Sequence, residues 1–359
     1  MCYLARRMKR LILLWLLLGY YPLLAQPAVP AGRTVVTYLN SKLLARNPGG
    51  ENPRRRVSVY LPPGYDANPQ RRYPVLYYLH GYAWSDSLVF NQDGLPALLD
   101  QAIAAGQIRP VIVVTPNEKT LFGGSMYTNS ATNGPWADFT AQELIRFIDG
   151  QFRTLAQPGS RGLAGHSMGG NGTLRLSMRY PGTWAAAYAL SPAFVGPHPE
   201  YMASAAGLQA ALRAPNQGAL AGNFSGQITV ALARAFSAEP QARPLGAALP
   251  SSLGPDSLTR RDAVLPRWVA ATPTYLLPAH AAGLRQLRAL AFDWGGQDEF
   301  RHIPPTCRSF SILLSTFGIR HSAQEYEGTH GSGIMGRNGR IYQHLLPFFN
   351  QHLDFAPQQ

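Results

Sequence analysis

The run Gly165-His166-Ser167-Met168-Gly169, followed by Gly170, sets a serine between small residues two positions before and two after it. A serine hydroxyl becomes a nucleophile when a base takes its proton and when a sharp turn lifts it clear of its neighbours. The flanking segments suit such a turn: Arg161 to Ala164 reads as a short strand, and Met168 to Tyr180 as a helix stopped by Pro181 and Gly182. A helix beginning there offers unpaired N–H groups and the positive end of its dipole to a developing oxyanion. The plainer alternative is a glycine-rich turn that packs a helix on a sheet.

A base and an acid are expected later in the chain, at the ends of late strands, in the order serine, acid, histidine. His330 stands in EYEGTHGSG after a strand from Ala323 to Tyr326, where Gly328 and Gly331 allow an exposed loop. His302, His321, His344 and His352 lie beside or within helices and read as polar surface or packing groups. For the acid, FDWGGQDEF offers Asp298 as the choice and Glu299 as its nearest competitor, with Asp293 held at the strand end by hydrogen bonds. A second oxyanion donor is expected after the third strand, in His80-Gly81-Tyr82-Ala83-Trp84. Gly81 permits a close backbone approach, so the Tyr82 N–H pairs with that of Met168, and Trp84 becomes a candidate for substrate contact. Residues 123–139, GGSMYTNSATNGPWADF, form a loop in which Tyr127, Asn129 and Trp136 could wall a crevice for a sugar or an aromatic group. As core or rim packing they would look the same. Neither a His/Cys cluster at metal-ligand spacing nor a phosphate-cradling glycine loop occurs, so no metal or cofactor is expected.

These groups need a scaffold. Strands are expected at Thr34 to Leu44, Arg56 to Leu61, Tyr73 to Leu79, Val111 to Thr115, Ala185 to Leu190 and Leu287 to Phe292, besides those already named. Helices are expected at Leu95 to Ala105, at Thr140 to Phe152 with a capping box of Thr140 and Glu143, and at Thr306 to Phe317. A last helix starts near Arg337 and is kinked or restarted by Pro347. Strands alternating with helices predict an α/β fold with a mostly parallel sheet covered on both faces. From Pro197 to about Arg267 the rhythm gives way to Ala-, Pro- and Gly-rich text, read as a partly helical insertion after the sixth strand.

With 359 residues, 46% hydrophobic and 14% charged, the chain is long and apolar enough for one large domain with an insertion. Its net charge of +13 owes four positives to Arg6, Arg7, Lys9 and Arg10, and the remaining arginines are scattered. Without a basic block or an aromatic platform, no nucleic-acid partner is expected. Those basic residues, the run LILLWLLL at 11–18 and the exit through Ala25 read as a secretory signal, predicting a secreted or periplasmic protein of residues 26–359, with an uncleaved N-terminal anchor as the alternative. The apolar run is shorter than the ~20 residues of a membrane span, so no stable span is expected after cleavage. Cys307 then remains alone in the mature chain, which excludes an intramolecular disulfide.

From about Arg56 to Leu353 the sequence resembles the esterase family of α/β-hydrolases, which includes esterase D, feruloyl and acetyl xylan esterases, enterochelin esterases and the antigen 85 mycolyltransferases. The stretches YYLHGYAW, SMYTNSATNGPWADFTAQELIRFID, SRGLAGHSMGGNGTLRLSMRYP, ALSPAF, FDWGGQDEF and EYEGTHGSGI carry the likeness. The resemblance implies an α/β-hydrolase fold, a triad of Ser167, Asp298 and His330, and an oxyanion hole of the Tyr82 and Met168 amides. It implies a secreted serine carboxylesterase acting on a small or carbohydrate-linked ester with an acetyl or feruloyl-type acyl group. Acyl transfer to a sugar and enterochelin-type hydrolysis are the alternatives.

Overall fold

The computed structural model describes residues 31–202, 204–253, 258–260 and 263–356; the expected signal segment, with its cleavage after Ala25, lies outside the described residues. Eight strands share one sheet: β1 (Arg33–Asn40), β2 (Arg54–Leu61), β3 (Val75–Leu79), β4 (Ile112–Pro116), β5 (Arg161–His166), β6 (Ala186–Leu190), β7 (Ala289–Gly295) and β8 (Ser322–Tyr326). Their spatial order is β1-β2-β4-β3-β5-β6-β7-β8. β2 runs antiparallel to β1 and β4, and every later pair is parallel.

Strand alternation divides the core in two. Val75, Tyr77 and Leu79 of β3 pack on one face with α2 (Leu144–Gln151), α3 (Met168–Arg179) and α7 (Ile303–Thr316). Leu76 and Tyr78 point to the other face, under α1 (Leu95–Ala104) and α8 (Leu346–His352). The central strands β3, β4 and β6 are buried throughout, which is why they read as unbroken apolar runs. The edge strand β8 is the polar SAQEY.

One local expectation changes. No capping box forms at Thr140, because the helical path already starts at Trp136 and passes through a π-helical turn at Phe139–Glu143. The Thr140 hydroxyl lies instead within hydrogen-bond reach of Glu118 and of the Trp136 carbonyl, while Glu143 accepts from Ser41 and from the Lys42 N–H. Pro347 restarts the last helix as expected: it is the second residue of α8, which follows a π-helical turn at Ile341–Leu345.

Between β6 and β7 the chain forms α4 (Ala205–Arg213), α5 (Phe224–Phe236), a two-stranded ladder of Ser251–Leu253 with Leu258–Arg260, and α6 (Pro273–Leu284). Ser204 and Asn223 cap α4 and α5 through their side chains. Cys307 is a buried free thiol. No helix among the described residues is long and apolar enough to cross a membrane.

Candidate active site

Ser167 occupies the single residue between β5 and α3, with φ 58° and ψ −116°. A non-glycine residue held there costs about 1–3 kcal/mol of backbone strain, which the surroundings must enforce. They do so by proximity: a Cβ on Gly165 would lie 2.5 Å from the Gly169 carbonyl carbon, and one on Gly169 only 2.0 Å from the Leu79 oxygen. The glycines at both ends of the motif let β3, β5 and α3 meet, and the turn is pinned where the Ser167 N–H donates to the Leu190 carbonyl at 2.9 Å.

His330 comes from the loop after β8, Asp298 from the loop after β7. The two loops touch through backbone, since a Cβ on Gly295 would lie 2.4 Å from the Gly328 oxygen. His330 Nδ1 is 2.7 Å from Asp298 Oδ2, and Asp298 Oδ1 accepts from the Phe300 N–H at 2.9 Å. Glu299 takes the backbone instead, accepting the His330 N–H at 2.9 Å. That bond, first among its causes, holds the Glu299 carboxyl below its usual range. Asp293 is buried under Tyr188 and Arg340, which donate to it at 2.6 and 2.8 Å. Ser167 and His330 share the wall of one cavity of about 310 Å³. His330 Nε2 has no hydrogen-bond partner among the described residues. Its carbonyl accepts from His166 Nε2 at 2.8 Å, and burial lowers the pKa of His166 to about 3, so that ring is neutral and fixes the His330 backbone.

The Tyr82 amide is aimed by a chain of contacts. His80 Nε2 accepts the Glu118 N–H at 2.8 Å, which places the ring proton on Nδ1, 2.8 Å from the Gly81 oxygen. Burial lowers the pKa of His80 to about 4, so the neutral tautomer persists. A trans peptide points its N–H opposite its carbonyl, so anchoring the Gly81 oxygen on His80 turns the Tyr82 N–H the other way. Neither the Tyr82 nor the Met168 N–H has an acceptor among the described residues. Gly81 brings this loop against the serine: its Cβ would sit 3.5 Å from Ser167 Cβ.

Of the four residues expected to contact substrate, Trp84 lines the cavity, its indole N–H donating to Asp93 at 2.9 Å. The structure puts the other three elsewhere. Tyr127 is buried and donates to the His80 carbonyl at 2.9 Å, which supports the amide chain just described. Trp136 is fully buried and donates to the Asn133 carbonyl. Asn129 accepts from the Ala137 and Asp138 N–H groups as a local turn brace. The loop that holds them is occupied in anchoring the segment after β6, through Ser130 to the Arg234 carbonyl and Thr132 to the Gly246 carbonyl. The aromatic wall comes instead from Tyr82, Phe194, Phe224 and Phe300. Sequence reading singled out Tyr82 only for its amide and missed the three phenylalanines, because single aromatics from separate segments carry no shared spacing.

The Esterase family profile matches residues 51–332. The chain is 37% identical over 136 residues to an endo-1,4-beta-xylanase/feruloyl esterase of Xylanibacter ruminicola, covering 35% of this chain and 18% of that protein. It is 36% identical over 138 residues to an esterase of Mycobacterium tuberculosis, covering 36% of this chain and 27% of that protein. The chain thus spans less than a third of these relatives' lengths. Among solved structures it is similar to a ferulic acid esterase (TM-score 0.60, 21% identity, 90% of this chain and 99% of that one). An S-formylglutathione hydrolase from Agrobacterium tumefaciens is comparable (TM-score 0.59, 16% identity, 92% and 99%). Both likenesses carry the α/β-hydrolase fold.

Proposed function

The chain belongs to the Esterase family and is a carboxylic ester hydrolase; from that premise we propose an exported serine esterase that cleaves carbohydrate-linked esters through an acyl-enzyme. The observation that carries this reading is Ser167 on a strained turn, facing a cavity that is also lined by His330, whose Nδ1 is held by Asp298. Ser167 Oγ attacks the ester carbonyl carbon while His330 Nε2 takes its proton. The tetrahedral oxyanion accepts from the Tyr82 and Met168 N–H groups, neither of which has another acceptor among the described residues. His330 returns the proton to the departing alkoxide, and water repeats the sequence on the acyl-serine. Asp298 holds the imidazole by Nδ1 and stabilises its charged form.

The acyl group is aromatic, of feruloyl type. The support is the cavity wall of Tyr82, Trp84, Phe194, Phe224 and Phe300, whose flat faces and edges suit a planar ring better than a long alkyl chain. The xylanase-linked feruloyl esterase among the relatives points the same way. Turnover of acetyl, butyryl, octanoyl and feruloyl esters tests this: feruloyl should be preferred, and preference for octanoyl with feruloyl untouched would overturn it. A fluorophosphonate should label the wild type at Ser167 and leave Ser167→Ala unlabelled.

A further inference from the structure

We propose that His302 is a second histidine directed at the substrate, accepting a hydrogen bond from a hydroxyl group that the substrate carries; the inference rests on the esterase reading of the cavity. His302 caps the start of α7 and is 2% exposed, yet it lines the same cavity as Ser167 and His330. Its orientation is imposed from across the fold. Glu200, in the short helix Pro199–Met202 after β6, accepts the backbone N–H groups of Arg301 and His302 at 3.1 and 2.7 Å, and its Oε2 lies 2.7 Å from His302 Nδ1. A carboxylate that already gathers two N–H donors is an acceptor toward the ring as well, which places the ring proton on Nδ1. Nε2 is left with its lone pair, and this atom is buried without a partner among the described residues.

The ring has little freedom to turn away. Phe194 stacks on it at 5.2 Å with planes 13° apart, and Tyr201 meets it edge-on at 5.1 Å. Tyr201 is no donor to it, because its hydroxyl is committed to the Gly196 carbonyl at 2.6 Å. A buried acceptor held this firmly carries a desolvation cost that a ligand donor removes. The donor is neutral: an acceptor lone pair repels an acyl carboxylate, and the cavity lining contains no lysine or arginine to draw one in. Phe300 contacts both histidines, its ring 4.7 Å from that of His330 and 6.2 Å from that of His302. The acceptor is therefore one aromatic ring removed from the base, within the span of a single ester substrate. The hydroxyl belongs to the acyl group, as a phenol, or to the alcohol, as on a sugar.

The experiment compares two matched pairs on the wild type, His302→Phe and Glu200→Ala. Methyl 4-hydroxycinnamate against methyl cinnamate tests the acyl side, and glyceryl against propyl cinnamate the alcohol side. In the wild type one pair should favour the hydroxylated ester by at least about tenfold in kcat/KM, the scale of one buried hydrogen bond. His302→Phe should bring that ratio near one while sparing the ester without the hydroxyl. Glu200→Ala, which frees the ring tautomer, should reduce it by a smaller factor. Wild-type ratios near one in both pairs overturn the proposal without recourse to any variant, as do ratios that His302→Phe leaves unchanged. Fluorophosphonate labelling and turnover of methyl cinnamate report separately on the esterase reading. Unchanged ratios with labelling and turnover intact remove only the role of His302, whereas loss of both in the wild type removes the reading beneath it.

Discussion

The loops at the ends of β3, β5, β7 and β8 and the segment between β6 and β7 meet at one cavity but are built differently. In the first region the backbone is forced, since Gly165 and Gly169 stand where any Cβ would collide with main chain, and Ser167 sits at a strained φ in consequence. In the second, α4 and α5 pack through small residues: a Cβ on Gly207 would lie 2.3 Å from Thr229 Oγ1, and the helices owe their ends to Ser204 and Asn223. The first region supplies Ser167, Asp298, His330 and the amides of Tyr82 and Met168. The second lends the cavity Phe224 and Ile228, and through Glu200 it orients His302. If the proposed mechanism holds, chemistry and selectivity should be separable in this molecule, because one rests on backbone geometry and the other on replaceable side chains.

The severest test of that division is Ser167→Ala, which should lower kcat by on the order of 10⁴ to 10⁶ with the fold retained. Activity within tenfold of wild type, measured on a feruloyl ester, would remove the serine from the mechanism. Next comes the acid. Asp298→Asn disturbs the imidazole tautomer and should cost up to about 10⁴ in kcat. Glu299→Gln keeps a carbonyl for the His330 N–H and should cost no more than roughly tenfold. A reversal of that order in steady-state kinetics would transfer the orienting role to Glu299.

On the insertion side the effects should shrink and change character. Phe224 is 49% exposed, with its ring 5.6 Å from that of Tyr82 and 6.4 Å from that of Phe300. Phe224→Ala should raise KM for a feruloyl ester by about two- to tenfold, the worth of an aromatic contact, and leave acetyl ester turnover nearly unchanged. A hundredfold fall in kcat on both esters would show that the two regions are not separable.

The same contrast explains what could be read in advance. The turn at Ser167 was legible because its steric demands fall on neighbours in sequence, and Asp298 and His330 because each follows a strand in a short, glycine-bearing loop. Residues 123–139 misled because Tyr, Asn and Trp in a loop have the same composition whether they face a ligand or brace a backbone. Here Tyr127 serves the His80 carbonyl, so the loop matters to the amide hole from behind. His302 was hidden for a different reason: its partner Glu200 is 102 residues away, in Ala- and Pro-rich text that offers no periodicity. The helices α4 and α5 were equally faint, because alanine and glycine make close helix contacts without an apolar stripe.

The smallest expected effect on catalysis, with a distinct effect on stability, concerns Glu118, beneath the amide hole. It is fully buried, and its carboxylate oxygens meet the hydroxyls of Ser125 and Thr140. Burial raises its pKa to about 8 from the ordinary 4.5, against the opposing pull of those hydroxyls and of Arg55. The folded protein therefore keeps a proton at neutral pH that the unfolded chain releases. Such a group stabilises the fold fully below about pH 4.5, and the contribution is lost as pH rises through 8. Glu118→Gln mimics the neutral carboxyl, since its amide can accept from one hydroxyl and donate to the other. The variant should be close to wild type near pH 4.5, gain on it steadily up to about pH 8, and hold a constant lead above that. For a fully buried carboxyl the lead amounts to on the order of a few kcal/mol. Urea midpoints at pH 5, 7 and 9 measure it, with kcat/KM at pH 7 staying within about threefold because the Glu118 N–H that orients His80 is backbone. Midpoints that run parallel across that range would mean that Glu118 is already ionised in the folded state.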